Sequence, residues 1–170
     1  TRFLHALSRR ARGCEATVVF DEHRVFSEEI EVLWREMSAM KGKATIPLEI
    51  PPPSFRDMDA EFCRYRSRKA ILVKFPVLKK QLNPIGVMQG GYIAAAFDNT
   101  LGPLSYAAAQ KPAVTLDMSQ TYLRAAKEGD ILFCEAEVIA RSPRTLYMTA
   151  SLYDARQKVI ATAQTQILIL

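Results

Sequence analysis

Four strand-like runs follow one another at the end of this 170-residue chain: AVTLDMSQTYL (113–123), ILFCEAEVIA (131–140), TLYMTASLYD (145–154) and VIATAQTQILIL (159–170). Only turn signals part them, at Lys127-Glu128-Gly129-Asp130, Ser142-Pro143 and Ala155-Arg156-Gln157. Residues 89–109 read as a helix, and EFCRYR (61–66) and KAILVKF (69–75) as two more strands about a short turn at Ser67. An antiparallel meander over a single helix is α+β architecture, with five to six strands wrapped around one long central element.

The N-terminal third is different. Phe26, Ile30, Leu33, Trp34 and Met37 recur at helical spacing, Glu28, Glu29 and Glu31 suit the early turns, and Gly42 follows as a stop. This predicts an amphipathic helix whose stripe must be buried somewhere, over the sheet or near the site. Residues 1–20 are ambiguous between a short helix at Phe3, Leu4 and Leu7 and a strand at 16–20. TIPLEIPPP (45–53) reads as an extended linker, because proline removes donors and biases its neighbours away from helix. The expected division is a helical extension with linker over 1–55 and a folded domain over 56–170.

The 49% apolar and 24% charged composition fits a soluble globular domain, and no run reaches the roughly 18–20 apolar residues that span a bilayer. The first residues lack a signal-peptide layout, so the cytoplasm is the expected location. Cys14, Cys63 and Cys134 are odd in number and far apart, which suggests buried free thiols and not a disulfide framework or metal site. Both histidines, His5 and His23, lie near the start, which excludes a histidine-based triad elsewhere and disfavours a zinc site. The net charge of +5 comes from residues 51–80, with eight basic side chains against three acidic ones. That patch is either a phosphate-attracting surface or a solvated strand face, and it is a weak signal for nucleic acid.

The chemistry concentrates in NPIGVMQGGYIAAAFDNTLGPLSYAAA (83–109). Asp98 is the one charged side chain between Lys80 and Lys111, and apolar residues surround it as in a core helix. Burial penalises such a charge, so the acid is either functional or a structural group with local partners such as Asn99 and Thr100. Gly90-Gly91 suggests a turn into a helix N-terminus, whose free N–H groups polarise a carbonyl or anion. A tight turn alone explains a diglycine equally well.

Asn83, Gly86, Gln89-Gly90-Gly91, Asp98-Asn99, Val114-Thr115-Leu116-Asp117 and Tyr122-Leu123-Arg124-Ala125-Ala126 with Gly129-Asp130 together resemble the hotdog-fold acyl-CoA thioesterases of the phenylacetate-pathway (PaaI-like) type. The resemblance spans about residues 60–170 and implies the hotdog fold and hydrolysis of an acyl-CoA without metal or cofactor. It implies that Asp98 is the catalytic carboxylate, as general base or nucleophile, that the Gly90 N–H polarises the thioester carbonyl with help from Asn83, and that Thr115 positions the attacking water. Gln89 stands where many members have histidine; an amide can donate a hydrogen bond but cannot shuttle protons at neutral pH.

Gly90 and Asp98 are eight residues apart, roughly 12 Å along one helix. Attack requires an approach of about 3–3.5 Å, so the carboxylate cannot reach a carbonyl held at its own helix N-terminus. Two antiparallel helices about a two-fold would bring Asp98 of one copy to Gly90 of the other. A homo-oligomer, dimer or dimer of dimers, is therefore expected, with no nucleic-acid or membrane partner. Lys127, Arg141 and Arg144 are candidates for coenzyme A phosphates or ordinary solvated charges, Gly91 for close ligand approach, and Phe97 and Leu101 for the acyl chain. A hotdog dehydratase is disfavoured by the missing histidine. A non-catalytic acyl-CoA sensor remains the alternative, given the N-terminal segment with Arg9, Arg10 and Arg12.

Overall fold

The computed structural model describes residues 27–41 and 49–170. The expectations for residues 1–20, Phe26, Gly42 and 45–48 lie outside the described residues. The elements are α1 (Ser27–Lys41), α2 (Pro53–Asp57), β1 (Glu61–Arg66), β2 (Ala70–Pro76), a 3-10 turn at Lys79–Gln81, α3 (Gly90–Ala109), β3 (Ala113–Tyr122), β4 (Ile131–Arg141), β5 (Thr145–Asp154) and β6 (Val159–Ile169). All six strands form one antiparallel sheet in the order β1-β2-β4-β5-β6-β3. With α3 packed on the inner face, this is the expected α+β hotdog architecture.

Side-chain periodicity builds the layers. Along β5 buried and half-buried positions alternate, so Leu146, Met148, Ala150 and Leu152 face inward. They meet Phe97, Leu101 and Leu104 of α3, all essentially inaccessible. The 20-residue α3 continues through Gly102-Pro103 and ends at Gln110, which takes the left-handed conformation at φ 57°.

Among the described residues, two surfaces are exposed. β3 lies at the edge of the sheet and leaves Val114 and Leu116 about half exposed, at 45% and 54%. Beside it, α3 presents a stripe in which Gly91 and Asp98 are exposed and Ala95, Gly102 and Tyr106 half-buried. Their spacing of three to four residues puts them on one helix face.

α1 packs its stripe against β1 and α3, with Ile30, Leu33 and Met37 buried and Trp34 edge-on to Phe62 at 5.5 Å. Its glutamates pin the β1–β2 turn: Glu29 accepts from the Tyr65 N–H at 3.2 Å, and Glu36 accepts from Ser67 Oγ at 2.9 Å, Arg68 Nε at 3.1 Å and the Tyr65 hydroxyl.

Residues 49–52 of the proline-rich segment lie outside helix and strand as expected, and only Pro53 departs from the linker. Pro53 opens α2, because a proline at the first helical position loses no hydrogen bond it would otherwise make. Phe55 of α2 is buried and stacks on Phe62 at 4.5 Å, so a boundary at residue 55 cuts through a helix that belongs to the core.

The basic excess over residues 51–80 is largely paired. Arg64 meets Glu135 at 3.5 Å, Arg66 meets Glu137 at 2.8 Å and Arg68 meets Glu36 at 3.1 Å, while Lys74 pairs with Glu61 and Arg56 with Glu49. The solvated strand-face reading accounts for this patch.

Candidate active site

The chain enters α3 through a tight loop. The Asn83 N–H bonds the Val87 carbonyl at 2.8 Å, and the Asn83 carbonyl accepts from Gly86 N–H at 3.0 Å. Gly86 sits at φ 78°, a conformation that glycine adopts without strain. Asn83 Oδ1 accepts from the backbone of Ile85 at 3.1 Å and Val87 at 3.2 Å, so its amide oxygen is spent within the turn. What it can offer a ligand is the Nδ2 donor.

Gln89 caps the helix with extended backbone, and its carbonyl takes the N–H groups of Tyr92 and Ile93. The N–H groups of Gly90 and Gly91 make no hydrogen bond among the described residues. Such first-turn donors, at the positive end of the helix dipole, favour an electron-rich oxygen. A side-chain carbon on Gly91 would come within 2.7 Å of Gln89 Oε1, so the Gln89 amide folds over the helix start in space that only glycine leaves.

Asp98 lies two turns further on, and Thr115 on β3 donates its Oγ1 hydrogen to Asp98 Oδ1 at 3.1 Å. Both residues are exposed in the single chain. This corrects the expectation that apolar neighbours bury Asp98 on all sides: the packed face of α3 carries the large residues, and the carboxylate sits on the stripe of small ones. Its charge is felt locally, since burial and then the Asp98 carboxylate push the Tyr106 phenol above its ordinary value of 10.0. Asn99 and Thr100 bond elsewhere. Asn99 accepts from Ser54 Oγ at 3.0 Å and approaches Met58 Sδ at 3.4 Å, and Thr100 Oγ1 returns to the Ala96 carbonyl at 2.8 Å.

Beside the helix N-terminus runs a groove of about 340 Å³. Gly90 forms its head, Met88 and Ile93 its buried apolar floor, and Tyr122, Leu123 and Arg124 its outer wall. Nothing in the local pattern of Tyr122-Leu123-Arg124 marks it as a groove wall. Tyr122 reaches Gly90 because β3 carries a bulge between Thr115 and Asp117, which re-registers everything after it.

Other expected site residues scatter. Phe97 and Leu101, expected along the acyl chain, lie instead in the core, because both point from α3 into the sheet. Arg141 donates to the carbonyls of Ala108 at 2.6 Å and Ala109 at 3.3 Å, closing the C-terminus of α3. Arg144 sits on the exposed Ser142–Thr145 turn, its N–H held by Ser142 Oγ at 3.2 Å. Lys127 pairs with Val87 and so borders the Asn83 loop. Cys134 is buried and Cys63 only half-buried; burial pushes both thiols up, Cys134 to about 12.

Residues 85–161, which include the helix start, Asp98, Thr115 and the groove wall, match the family model described as the thioesterase superfamily. The enzyme class expected from the motif residues, a thioester hydrolase, is the class of this family. No curated protein matches the chain by sequence. Among solved structures, the PaaI protein of the Escherichia coli phenylacetic acid degradation operon is similar at TM-score 0.71 and 16% identity, covering 82% of this chain and 94% of its own. A hypothetical thioesterase of Streptococcus pneumoniae TIGR4, solved with coenzyme A, is similar at TM-score 0.62 and 24% identity over 65% of this chain and 87% of its own. The smu.793 protein of Streptococcus mutans UA159, bound to acetyl-CoA, is similar at TM-score 0.64 and 22% identity over 72% and 93%. The resemblance to PaaI-like hotdog proteins is thus met in the fold. No helix among the described residues is long and apolar enough to cross a membrane.

Proposed function

We propose that this chain is a thioesterase of the superfamily its residues 85–161 match, and that it hydrolyses an acyl-CoA to the free acid and coenzyme A at a site completed by a second copy. The reading rests above all on the Thr115–Asp98 hydrogen bond, which holds a carboxylate by one oxygen on an open face. Binding of coenzyme A and acetyl-CoA by the two streptococcal proteins supports the choice of thioester.

In this mechanism Asp98 takes a proton from a water that Thr115 helps to place, and the water oxygen bonds to the thioester carbonyl carbon. The carbonyl oxygen becomes an oxyanion facing the Gly90 N–H, with the Asn83 amide and the helix dipole in support. The Gln89 amide is a further donor there. The C–S bond then breaks, and the departing thiolate takes up the proton held by Asp98. Gly90 and Asp98 belong to one rigid helix, so the oxyanion cradle and the base must come from different copies. The exposed β3 edge and the small-residue stripe of α3 are the surfaces a two-fold partner would cover. Lys127 and Arg144 remain exposed cations for the phosphates of coenzyme A.

A hydrolysis screen over acyl-CoA lengths, read by thiol release, tests the proposal with Asp98→Asn as control. Turnover retained in that variant would rule out the mechanism. Binding of acyl-CoA without turnover by the unaltered protein would instead favour the sensor.

A further inference from the structure

The groove beside Gly90 has a chemistry of its own. Its floor is made by Met88 and Ile93, each 4% exposed. The backbone donors that border it are already used. Leu123 N–H and Arg124 N–H both bond the Ile160 carbonyl, at 2.8 and 3.0 Å, and Met88 N–H bonds the Ala126 carbonyl at 2.8 Å. The Arg124 guanidinium donates to the Val159 carbonyl at 2.6 Å. Open backbone donors remain at the head, on Gly90 and Gly91.

A thioester whose carbonyl lies on those donors sends two arms away from the carbonyl carbon. The coenzyme arm carries amides, and amides sunk among spent donors lose free energy. The acyl arm is hydrocarbon and loses nothing there. A volume of about 340 Å³ is near the lower end of the ~300–1,000 Å³ common for ligand pockets.

Tyr122 controls this space. Its ring lies 3.5 Å from where a side-chain carbon on Gly90 would stand. Its hydroxyl is directed at Gln120 Oε1 at 2.9 Å and, more distantly, at the Gly90 carbonyl at 3.3 Å. The ring is thereby held by its hydroxyl end over the head of the groove. We propose that the acyl group of the substrate lies in this groove, and that Tyr122 is the specificity-determining residue that restricts it to short acyl groups. This deepens the thioesterase reading and rests on it.

The test compares kcat/KM for acetyl-, butyryl-, hexanoyl- and decanoyl-CoA in the unaltered protein and in Tyr122→Ala, Tyr122→Leu and Tyr122→Phe. Tyr122 is half exposed, at 52%, so its truncation leaves the core intact, and the leucine variant keeps much of the apolar bulk. The unaltered protein should favour the two shorter thioesters. Alanine should raise the decanoyl-to-butyryl ratio by about tenfold or more, the scale on which apolar pockets discriminate by size. Leucine should fall between, and phenylalanine, which keeps the ring but loses the hydroxyl's hold on Gln120, should raise the ratio less than leucine does. Turnover with a length ratio indifferent to Tyr122→Ala and Tyr122→Leu overturns this assignment and leaves the thioesterase reading standing. Absence of turnover with every thioester overturns both.

Discussion

Thr115 Oγ1 lies 3.1 Å from Asp98 Oδ1, joining the edge strand of the sheet to the open face of the central helix. The hydroxyl occupies one carboxylate oxygen and leaves the other for a proton. A threonine here does what a backbone donor would do less flexibly: it fixes the carboxylate rotamer and can still share its oxygen with water.

Asp98→Asn should therefore lower kcat by about 10²–10⁴-fold, the usual contribution of a placed acid–base group. Thr115→Val should cost less, because the carboxylate survives and only its placement suffers. Both side chains are exposed, so unfolding free energies should stay within about 0.5 kcal/mol of the parent. Denaturant titration beside steady-state kinetics checks this. A folded Asp98→Asn protein with near-parental kcat would exclude the carboxylate from the chemistry.

Arg141 caps α3 by donating to Ala108 and Ala109, where a cation also meets the negative end of the helix dipole. Arg141→Ala should lower stability by about 1.5–3 kcal/mol, the range for hydrogen bonds involving a charged group, and leave KM for acyl-CoA unchanged. Lysine should rescue only in part, since it lacks the forked donor. A raised KM at unchanged stability would return Arg141 to the phosphate role.

How legible all this was varied with the range of the interaction. The strands were readable because alternation is local; β5 spans the same residues, 145–154, that its sequence pattern marks. The five-residue α2 was not, because Pro51-Pro52-Pro53 suggests extended chain and only the buried Phe55 gives the turn a reason to form. Asp98 stands out locally as the lone charge on an apolar helix, whereas Thr115 is reached through family resemblance alone. Nothing local announces that residues 17 apart, on a helix and a strand, will touch. The Tyr122–Gly90 contact depends on a bulge, and the Arg141 cap on where β4 ends relative to α3, and neither is written in periodicity.

Stability should fall in alkaline solution. Tyr153 donates to Glu135 Oε2 at 2.6 Å and Tyr65 donates to Glu36, and burial followed by these carboxylates pushes both phenols well above 10.0. Burial raises Cys134 from 9.0 to about 12. Each group stays protonated in the fold and loses its proton more readily when unfolded. The stabilisation is complete below pH 9, then is lost as pH climbs from about 9–10 upward. Denaturation at pH 8, 9.5 and 10.5 should show this decline, and Tyr153→Phe should flatten it. A constant unfolding free energy over that window would mean that these protons are not held by the fold.

The shared site has a decisive test in mixing two dead proteins. Gly90→Pro deletes the N–H that would face the oxyanion, and the fold should tolerate it. Position 90 is the first of the helix, where proline is accepted, and Gln89 already has the extended backbone (φ −70°, ψ 138°) that precedes proline. Asp98→Asn deletes the base. Each variant alone should be inactive. If the site joins Gly90 of one copy to Asp98 of the other, a mixed dimer carries one site with both groups intact, and random reassociation of equal amounts should recover about a quarter of the parental rate. Leu116→Arg, placing charge on the exposed edge of β3, should yield monomers in light scattering and abolish turnover. Activity in that monomer, or a mixture that stays dead while dimers form, would show that one chain must supply both groups, and a rigid helix holding them roughly 12 Å apart cannot do so.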